Sequence, residues 1–276
     1  MTTLVGWLAT DSRGPSSVYL ASDSRVSWGS PDRRWDAARK LFICRHSPDL
    51  FGYCGDAFFA SQMLSQITEI ADHQLLFHPS STAIMRHERV VQMVAGSIAQ
   101  RRRAEAEQLT FAHVAREQSG MESSFWVWRT TCTADGQVRD QLCGTFLSND
   151  PGPSRRLLAL GSGGAAYVDE TIRWDSSAQG NTSRGYYTAL CDVLARQEDP
   201  ASGGSPQLVG LYRRGHGQAF GIVHEGRRFF HGLPVAEMED YGSIEWRDDA
   251  FQRIDARTLK LLRNAQRQVR PRLPKL

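Results

Sequence analysis

The chain has 276 residues, 41% of them hydrophobic and 23% charged, with a formal net charge of +3; this apolar content supports one substantial core, and the charge excludes a dense nucleic-acid-binding surface. No run approaches the ~20 consecutive apolar residues of a membrane span, and the start MTTLVGWLATDSRG lacks the basic and apolar regions of a secretory signal. Five dispersed cysteines (Cys44, Cys54, Cys132, Cys143, Cys191) and eight histidines show no CxxC, HExxH or mixed metal-ligand spacing, so the expectation is a reduced, cytoplasmic protein with no metal and no cofactor.

In chain order, TLVGWLA, SVYLAS after the SRGP turn, then KLFICR and LFGYCG after a polar loop read as strands, being short β-branched and aromatic runs bounded by Gly, Pro and Ser. Phe59, Met63 and Ile67 recur at four-residue spacing and predict a helix from Asp56 to about Ile70. A second helix is predicted from about Thr82 to Arg103, its Arg101-Arg102-Arg103 suiting the negative end of a helix dipole. SFWVWRTTC and VRDQLCGTF flank Ala134-Asp135-Gly136-Gln137, a hairpin signal. LLALGSGG opens a third helix, SRGYYTALCDVLARQ is a fourth, and PQLVGLYRR, QAFGIVHEG and RRFFHGL return to strand character. Strands, two helices, strands, two helices, strands predict an α+β fold: an antiparallel sandwich of two sheets with helices packed outside.

Residues 240–276 differ from the domain of residues 1–239. They are basic, and Phe251, Ile254, Thr258, Leu261 and Ala265 fall on one helical face behind Asp248 and Asp249, which suit an N-cap and first turn. A C-terminal extension with an amphipathic helix and a loose, Pro-containing end is expected.

Thr2 carries the main chemical question. A threonine hydroxyl is a poor nucleophile without a base, but an N-terminal threonine supplies its own α-amine, with a reference pKa of ~7.7–8.0, close to operating pH. Met-Thr-Thr alone is weak evidence. The motifs along the rest of the chain give it meaning. TTLVGW, LASDSRVSWG with its Asp-x-Arg element, ARKLFIC, FGYCGDA, LLALGSGG and EDPASGGSPQLVGLYRR occur in an order and spacing that resembles the proteasome β-subunit and bacterial HslV family over roughly residues 2–232. The Asp-x-x-Ser-Gly-Gly form leans toward the proteasome β type, and the chain length toward a separate bacterial proteasome-homologue branch.

The resemblance implies the four-layer αββα N-terminal-nucleophile hydrolase fold and a threonine peptidase whose nucleophile is Thr2, exposed by removal of Met1. It makes Lys40 the neighbour that lowers the pKa of hydroxyl and amine, with Asp23 holding that lysine. Gly55 would present an oxyanion-binding N–H, and Ser162, Asp199 and Ser202 would be the outer hydrogen-bonding group. Ser27 would bind substrate backbone, while Gly52 and Ala38 would leave a roomy pocket. Read singly, Asp23 and Lys40 form a structural ion pair, Gly55 a turn glycine, Ser162 a helix cap and Asp-Pro-Ala-Ser-Gly-Gly a turn.

The family further implies homo-oligomeric stacked rings, unfolded polypeptides as substrates and an ATP-dependent unfoldase as partner, with no membrane or nucleic-acid role. Two other readings stand beside it: an amidohydrolase acting on a small amide, and an inactive structural ring subunit.

Overall fold

In the computed structural model, residues 2–28, 30–101, 107–238, 240–267 and 269–274 are described; Met1, and Arg102 and Arg103 of the arginine triplet, lie outside them. Among the described residues the chain is a mixed α/β fold of several antiparallel sheets and four helices.

The opening apolar run becomes β1 (Leu4–Asp11), which turns into β2 (Gly14–Ser22). Leu4 and Leu8 point into one core cluster, and Val5, Trp7 and Ala9 into another. Burial on both faces explains why this strand reads as continuous rather than alternating hydrophobicity. A ribbon of β3 (Val26–Trp28) and β4 (Ser30–Trp35) comes next, occupying part of the expected polar loop. β5 (Leu41–Ile43) and β6 (Asp49–Gly55) precede α1 (Ala57–Asp72), capped by Asp56 Oδ1 on the Phe59 N–H at 3.0 Å, and α2 (Ala83–Ala99), capped by Thr82.

β7 (Leu109–Glu117), β8 (Ser124–Cys132) and β9 (Val138–Leu147) complete a five-stranded sheet in the order β5-β6-β7-β8-β9. The middle strand of this sheet, β7, is not signalled by the sequence pattern. Its register runs from Asp49↔Ala115 to Gly55↔Leu109 against β6. β10 (Arg155–Leu160) leads into α3 (Gly164–Asp175) and α4 (Ser183–Arg196), and β11 (Gln207–Tyr212) and β12 (Gln218–Ala219) finish a second sheet, β10-β1-β2-β11-β12. The two five-stranded sheets share a core that includes Leu4, Leu20, Leu50, Val114, Val127 and Val209. Tyr167, Trp174, Tyr187 and Leu190 of α3 and α4 join Val5, Trp7 and Tyr19 in a second cluster. Met63, Ile67, Val90 and Val94 of α1 and α2 join Phe51, Tyr53 and Phe111 in a third.

The C-terminal part departs from expectation. β13 (Gly221–His224), β14 (Arg227–Phe230) and β15 (Leu233–Pro234) join β16 (Trp246–Asp248), β17 (Arg253–Asp255) and β18 (Lys260–Leu261) in one sheet, and the amphipathic helix predicted beyond Asp248 is absent among the described residues. β16 runs parallel to β13, with Gly221 opposite Trp246, so the residues read as a separate extension build the same sheet as the strands before residue 240. Asp248 does cap backbone donors, but in a turn: its Oδ1 accepts from the N–H groups of Ala250 (3.0 Å) and Gln252 (2.7 Å). Phe251, at φ 60°, is pulled onto the rings of Trp7, Tyr19 and Tyr187. Tertiary burial of that ring overrides the helical spacing. The Pro-containing end is also anchored, with Arg173 Nε and Nη2 donating to the Pro274 carbonyl at 3.0 and 2.6 Å.

A buried polar chain ties α2 to the sheet beneath it. Arg86 Nε donates to both Asp49 oxygens (3.1 and 3.0 Å), Asp49 Oδ1 meets His113 Nε2 (2.9 Å), His113 Nδ1 meets His87 Nδ1 (2.9 Å), and His87 Nε2 reaches Asp140 (3.0 Å). Burial, reinforced by His113, pushes His87 down to about 4, and burial also lowers His113. Unfolded histidines titrate near ~6.5, so on acidification the unfolded chain binds protons that the folded one refuses. This contribution is complete above the unfolded value and is lost as pH falls toward 4, on the order of 3 kcal/mol for His87. Denaturant unfolding across this range should show that loss, and His87→Gln should flatten it. No helix among the described residues is long and apolar enough to cross a membrane.

Candidate functional site

Thr3 prolongs the β1–β2 pairing beyond Leu4↔Ser22. The Thr3 N–H donates to Asp23 Oδ1 (3.0 Å), and the Asp23 N–H donates to the Thr3 carbonyl (3.2 Å). Lys40, immediately before β5, is fully buried, and its Nζ donates to Thr2 Oγ1 and to Asp23 Oδ1, each at 2.8 Å. Thr2, Asp23 and Lys40, far apart in sequence, therefore meet at one point.

Asp23 is fixed from all sides. Oδ1 accepts from the Thr3 N–H and Lys40 Nζ, and Oδ2 from the N–H groups of Arg25 (2.9 Å) and Gly203 (3.0 Å), filling the four acceptor positions of a carboxylate. Burial pulls the Lys40 ammonium below the usual lysine range, opposed by the charge and hydrogen bond of Asp23. An amine so placed can stabilise an alkoxide on Thr2 as a cation or, when neutral, accept the hydroxyl proton.

The second predicted group also assembles. Thr3 Oγ1 lies 2.7 Å from Ser202 Oγ, and the hydroxyls of Ser202 and Ser162 donate to Asp199 Oδ2 at 2.7 and 2.6 Å. Burial raises the Asp199 pKa, but the bonds from Ser162, Ser202 and the Ala201 N–H outweigh it and leave the carboxyl below its ordinary value. Ser162 does not cap α3; the N-cap position is Gly163, without a side-chain bond. The Asp199 segment is at once a turn, with the Ser202 N–H on the Asp199 carbonyl at 3.1 Å, and part of this cluster.

Two glycines let the α3 entry close on the threonines. A Cβ at Gly161, which has φ +84°, would stand 1.8 Å from the Thr2 carbonyl oxygen, and one at Gly163 would stand 1.9 Å from Thr3 Oγ1. Gly163→Ala must push Thr3 from Ser202, with an expected loss of about 1–3 kcal/mol in stability. Thermal melts check the cost; an unchanged melting temperature would contradict the packing.

Of the remaining predicted residues, Gly55 has φ +100°, and a Cβ there would strike the Gln108 carbonyl oxygen at 2.2 Å, so its strand-end turn requires glycine. Ser27 lies in β3 opposite Arg34. Ala38 is buried, its N–H on the Ser24 carbonyl (2.9 Å) and its own carbonyl accepting from Gln207 Nε2 (2.8 Å). The roomy pocket expected at Gly52 is not formed by that glycine: Leu4 Cδ1 and Leu41 Cδ2 would lie 2.8 and 2.9 Å from a Cβ there. Its missing side chain admits these two leucines to the core between the sheets.

Sequence reasoning missed the braces. Gln207 receives the Lys40 N–H at 3.1 Å and donates to the carbonyls of Asp23 and Ala38 and to Ser24 Oγ, tying the Asp23 and Lys40 segments together. Arg25 grips Asp36 with Nε (2.6 Å) and Nη2 (2.8 Å) while Nη1 donates to the carbonyls of Pro200 and Ser202, so it clamps the Asp199 turn beside Asp23. Arg25 is visible in the Asp-x-Arg element, but Gln207 is only a polar residue opening an apolar run.

No protein-family model matches the chain, and no curated protein sequence matches it.

Proposed function

We propose that this chain is a threonine-type peptidase of the N-terminal-nucleophile class, acting within a proteasome-like ring of identical subunits. The observation that carries the reading is the buried Lys40 Nζ placed 2.8 Å from both Thr2 Oγ1 and Asp23 Oδ1. The core clusters, with α1 and α2 on one sheet and α3 and α4 on the other, support the four-layer αββα arrangement of that class. The ordered motifs of the sequence support it independently.

After removal of Met1, the Thr2 hydroxyl attacks the carbonyl carbon of a peptide bond. Its proton passes to the free α-amine, whose reference pKa of ~7.7–8.0 suits both uptake and release. Lys40 stabilises the developing alkoxide, Asp23 positions Lys40, and the Gly55 N–H receives the oxyanion. Collapse of the tetrahedral intermediate breaks the C–N bond, and the α-amine returns its proton to the leaving amine. Water then cleaves the Thr2 ester by the same route, releasing the acid and restoring the hydroxyl. Asp199, Ser162 and Ser202 act as positioning residues through Thr3. Unfolded polypeptide is the substrate class, with an ATP-dependent unfoldase as supplier.

Intact-mass measurement before and after treatment with a β-lactone tests the reading. Loss of one methionine and a single adduct on Thr2 are expected; Met1 retained in the native assembly would overturn it.

A further inference from the structure

The C-terminal sheet reaches back to the Lys40 site through one hairpin tip. β14 ends at Phe230 and β15 begins at Leu233, and these two residues pair, so His231 and Gly232 form a two-residue hairpin loop. Both have positive φ, 50° and 87°, the signature of a type I′ turn. The β13–β14 loop is built the same way from Glu225 (φ 49°) and Gly226 (φ 72°), but a Cβ on Gly226 would meet nothing within 4 Å among the described residues. At Gly232 a Cβ would stand 2.7 Å from Ser24 Oγ and 3.1 Å from both Ser24 Cβ and the Ala38 carbonyl oxygen. The same turn is therefore an open bend at one end of β14 and a close packing contact at the other.

Ser24 and Ala38 belong to the two segments that carry Asp23 and Lys40. The Ala38 N–H donates to the Ser24 carbonyl (2.9 Å), and the Gln207 amide clamps both segments: Nε2 donates to Ser24 Oγ (2.9 Å) and the Ala38 carbonyl (2.8 Å), while Oε1 accepts the Lys40 N–H (3.1 Å). Ser24 Oγ itself donates to the Ser205 carbonyl at 2.6 Å, so the hydroxyl is held on both sides and cannot swing from an intruding group without breaking a bond. Ser24, Lys40 and Gln207 are at most 1% exposed, and in an interior packed this closely a displaced atom passes its movement to its neighbours. The tip adds no charge at neutral pH, because burial, reinforced by Arg39, holds the His231 imidazole down to about 3. The ionisable groups that act on Lys40 are Asp23, Cys54 and Arg25, with Asp36 beyond them.

We infer that the His231–Gly232 tip is a positioning element for Lys40. By filling the space against Ser24 and Ala38 with backbone alone, it fixes the Gln207 clamp and, through that clamp, the start of β5 from which Lys40 Nζ reaches Thr2 and Asp23. The C-terminal sheet thereby becomes part of the site's support. The catalytic meaning of this contact rests on the peptidase reading; its effect on Lys40 does not.

Lys40, Lys260 and Lys275 are the only lysines of the chain, so NMR of the full protein with lysine isotopically labelled at Cε gives an assignable Lys40 signal. Gly232→Ala should displace that signal and leave that of Lys260 in place. Gly226→Ala, with similar turn strain and nothing to strike, should displace neither. Ser24→Ala alone should also move the Lys40 signal, since it deletes one bond of the clamp. Because it also removes the atom nearest the new Cβ, Gly232→Ala should shift the signal less in the Ser24→Ala background than in the wild type, a rescue that general destabilisation does not produce. With a peptide substrate, Gly232→Ala should lower kcat about tenfold or more at little-changed KM, the scale expected of a slightly misplaced catalytic group, and Gly226→Ala should not. An unmoved Lys40 signal in folded Gly232→Ala or in Ser24→Ala, or an equal displacement in Gly226→Ala, would overturn the positioning role. The expected displacements in a protein without peptidase activity would uphold it and count against the peptidase reading alone.

Discussion

Thr2→Ala is expected to lower peptide hydrolysis by about 10⁴-fold or more, the scale seen when a catalytic nucleophile is removed, with little change in fold. The structural reason for the second half is local. Thr2 is 1% exposed and its Oγ1 accepts a bond from Lys40, but Lys40 Nζ keeps its 2.8 Å contact with Asp23 when the hydroxyl is gone. The stability cost should be about 1 kcal/mol, the scale of a net hydrogen-bond contribution. Thr2→Ser supplies the control, since it retains the hydroxyl and should retain measurable turnover. Fluorogenic peptide assays on the three proteins, matched by melting temperature, decide between the outcomes. Turnover of Thr2→Ala at the wild-type rate would remove Thr2 from the chemistry; equal loss in Thr2→Ala and Thr2→Ser would show that the hydroxyl is not what matters.

What could be read from sequence depended on whether local pattern and tertiary demand agreed. β1, β2, α1 and the β8–β9 hairpin agree: apolar runs, four-residue apolar spacing and an Asp-Gly turn point to the observed elements. β7 does not announce itself, because Ala112, His113, Ala115 and Arg116 dilute its β-formers; it is a strand because Phe111 and Val114 face two different cores. Beyond Asp248 the disagreement is complete. A stripe at helical spacing serves a turn and short strands, since the Phe251 ring and the Trp246–Ile254 pair are claimed by the molecule already built. The site obeys the same rule. Thr2, Asp23, Lys40, Ser162, Asp199 and Ser202 are brought together as the motif order implied. Gln207 and Arg25 work through distant carbonyls and a carboxylate that no linear spacing reveals. Gly52 misled because a small residue opens a pocket only when no neighbour fills it, and Leu4 and Leu41 do.

The second large effect concerns the Asp23–Lys40 pair, whose side chains are both fully buried. Breaking such a pair from one side costs about 3–5 kcal/mol, but the two sides are not equivalent here. In Lys40→Met, Asp23 keeps three backbone N–H donors, from Thr3, Arg25 and Gly203. In Asp23→Asn, the lysine keeps its bond to the Thr2 hydroxyl but loses the carboxylate whose charge opposed its desolvation. Asp23→Asn should therefore be the more damaging to stability, and the double replacement should cost less than the sum of the two, a coupling that a double-mutant cycle reads directly. The pH dependence separates them further. A lysine whose folded pKa lies below its unfolded value makes the unfolded state the greater binder of protons, so stability rises with pH through that interval. Removing Asp23 widens the interval, and the deficit of Asp23→Asn should shrink between about pH 7 and about pH 9.5, while that of Lys40→Met, which has no ammonium to discharge, should not. Both replacements should also depress peptide turnover, for different reasons: Lys40→Met removes the group at the hydroxyl, and Asp23→Asn lets that group lose its position and its charge. Urea unfolding at the two pH values, with turnover measured on the same samples, distinguishes the variants; equal deficits at both pH values would mean that the buried ammonium does not depend on Asp23 for its charge.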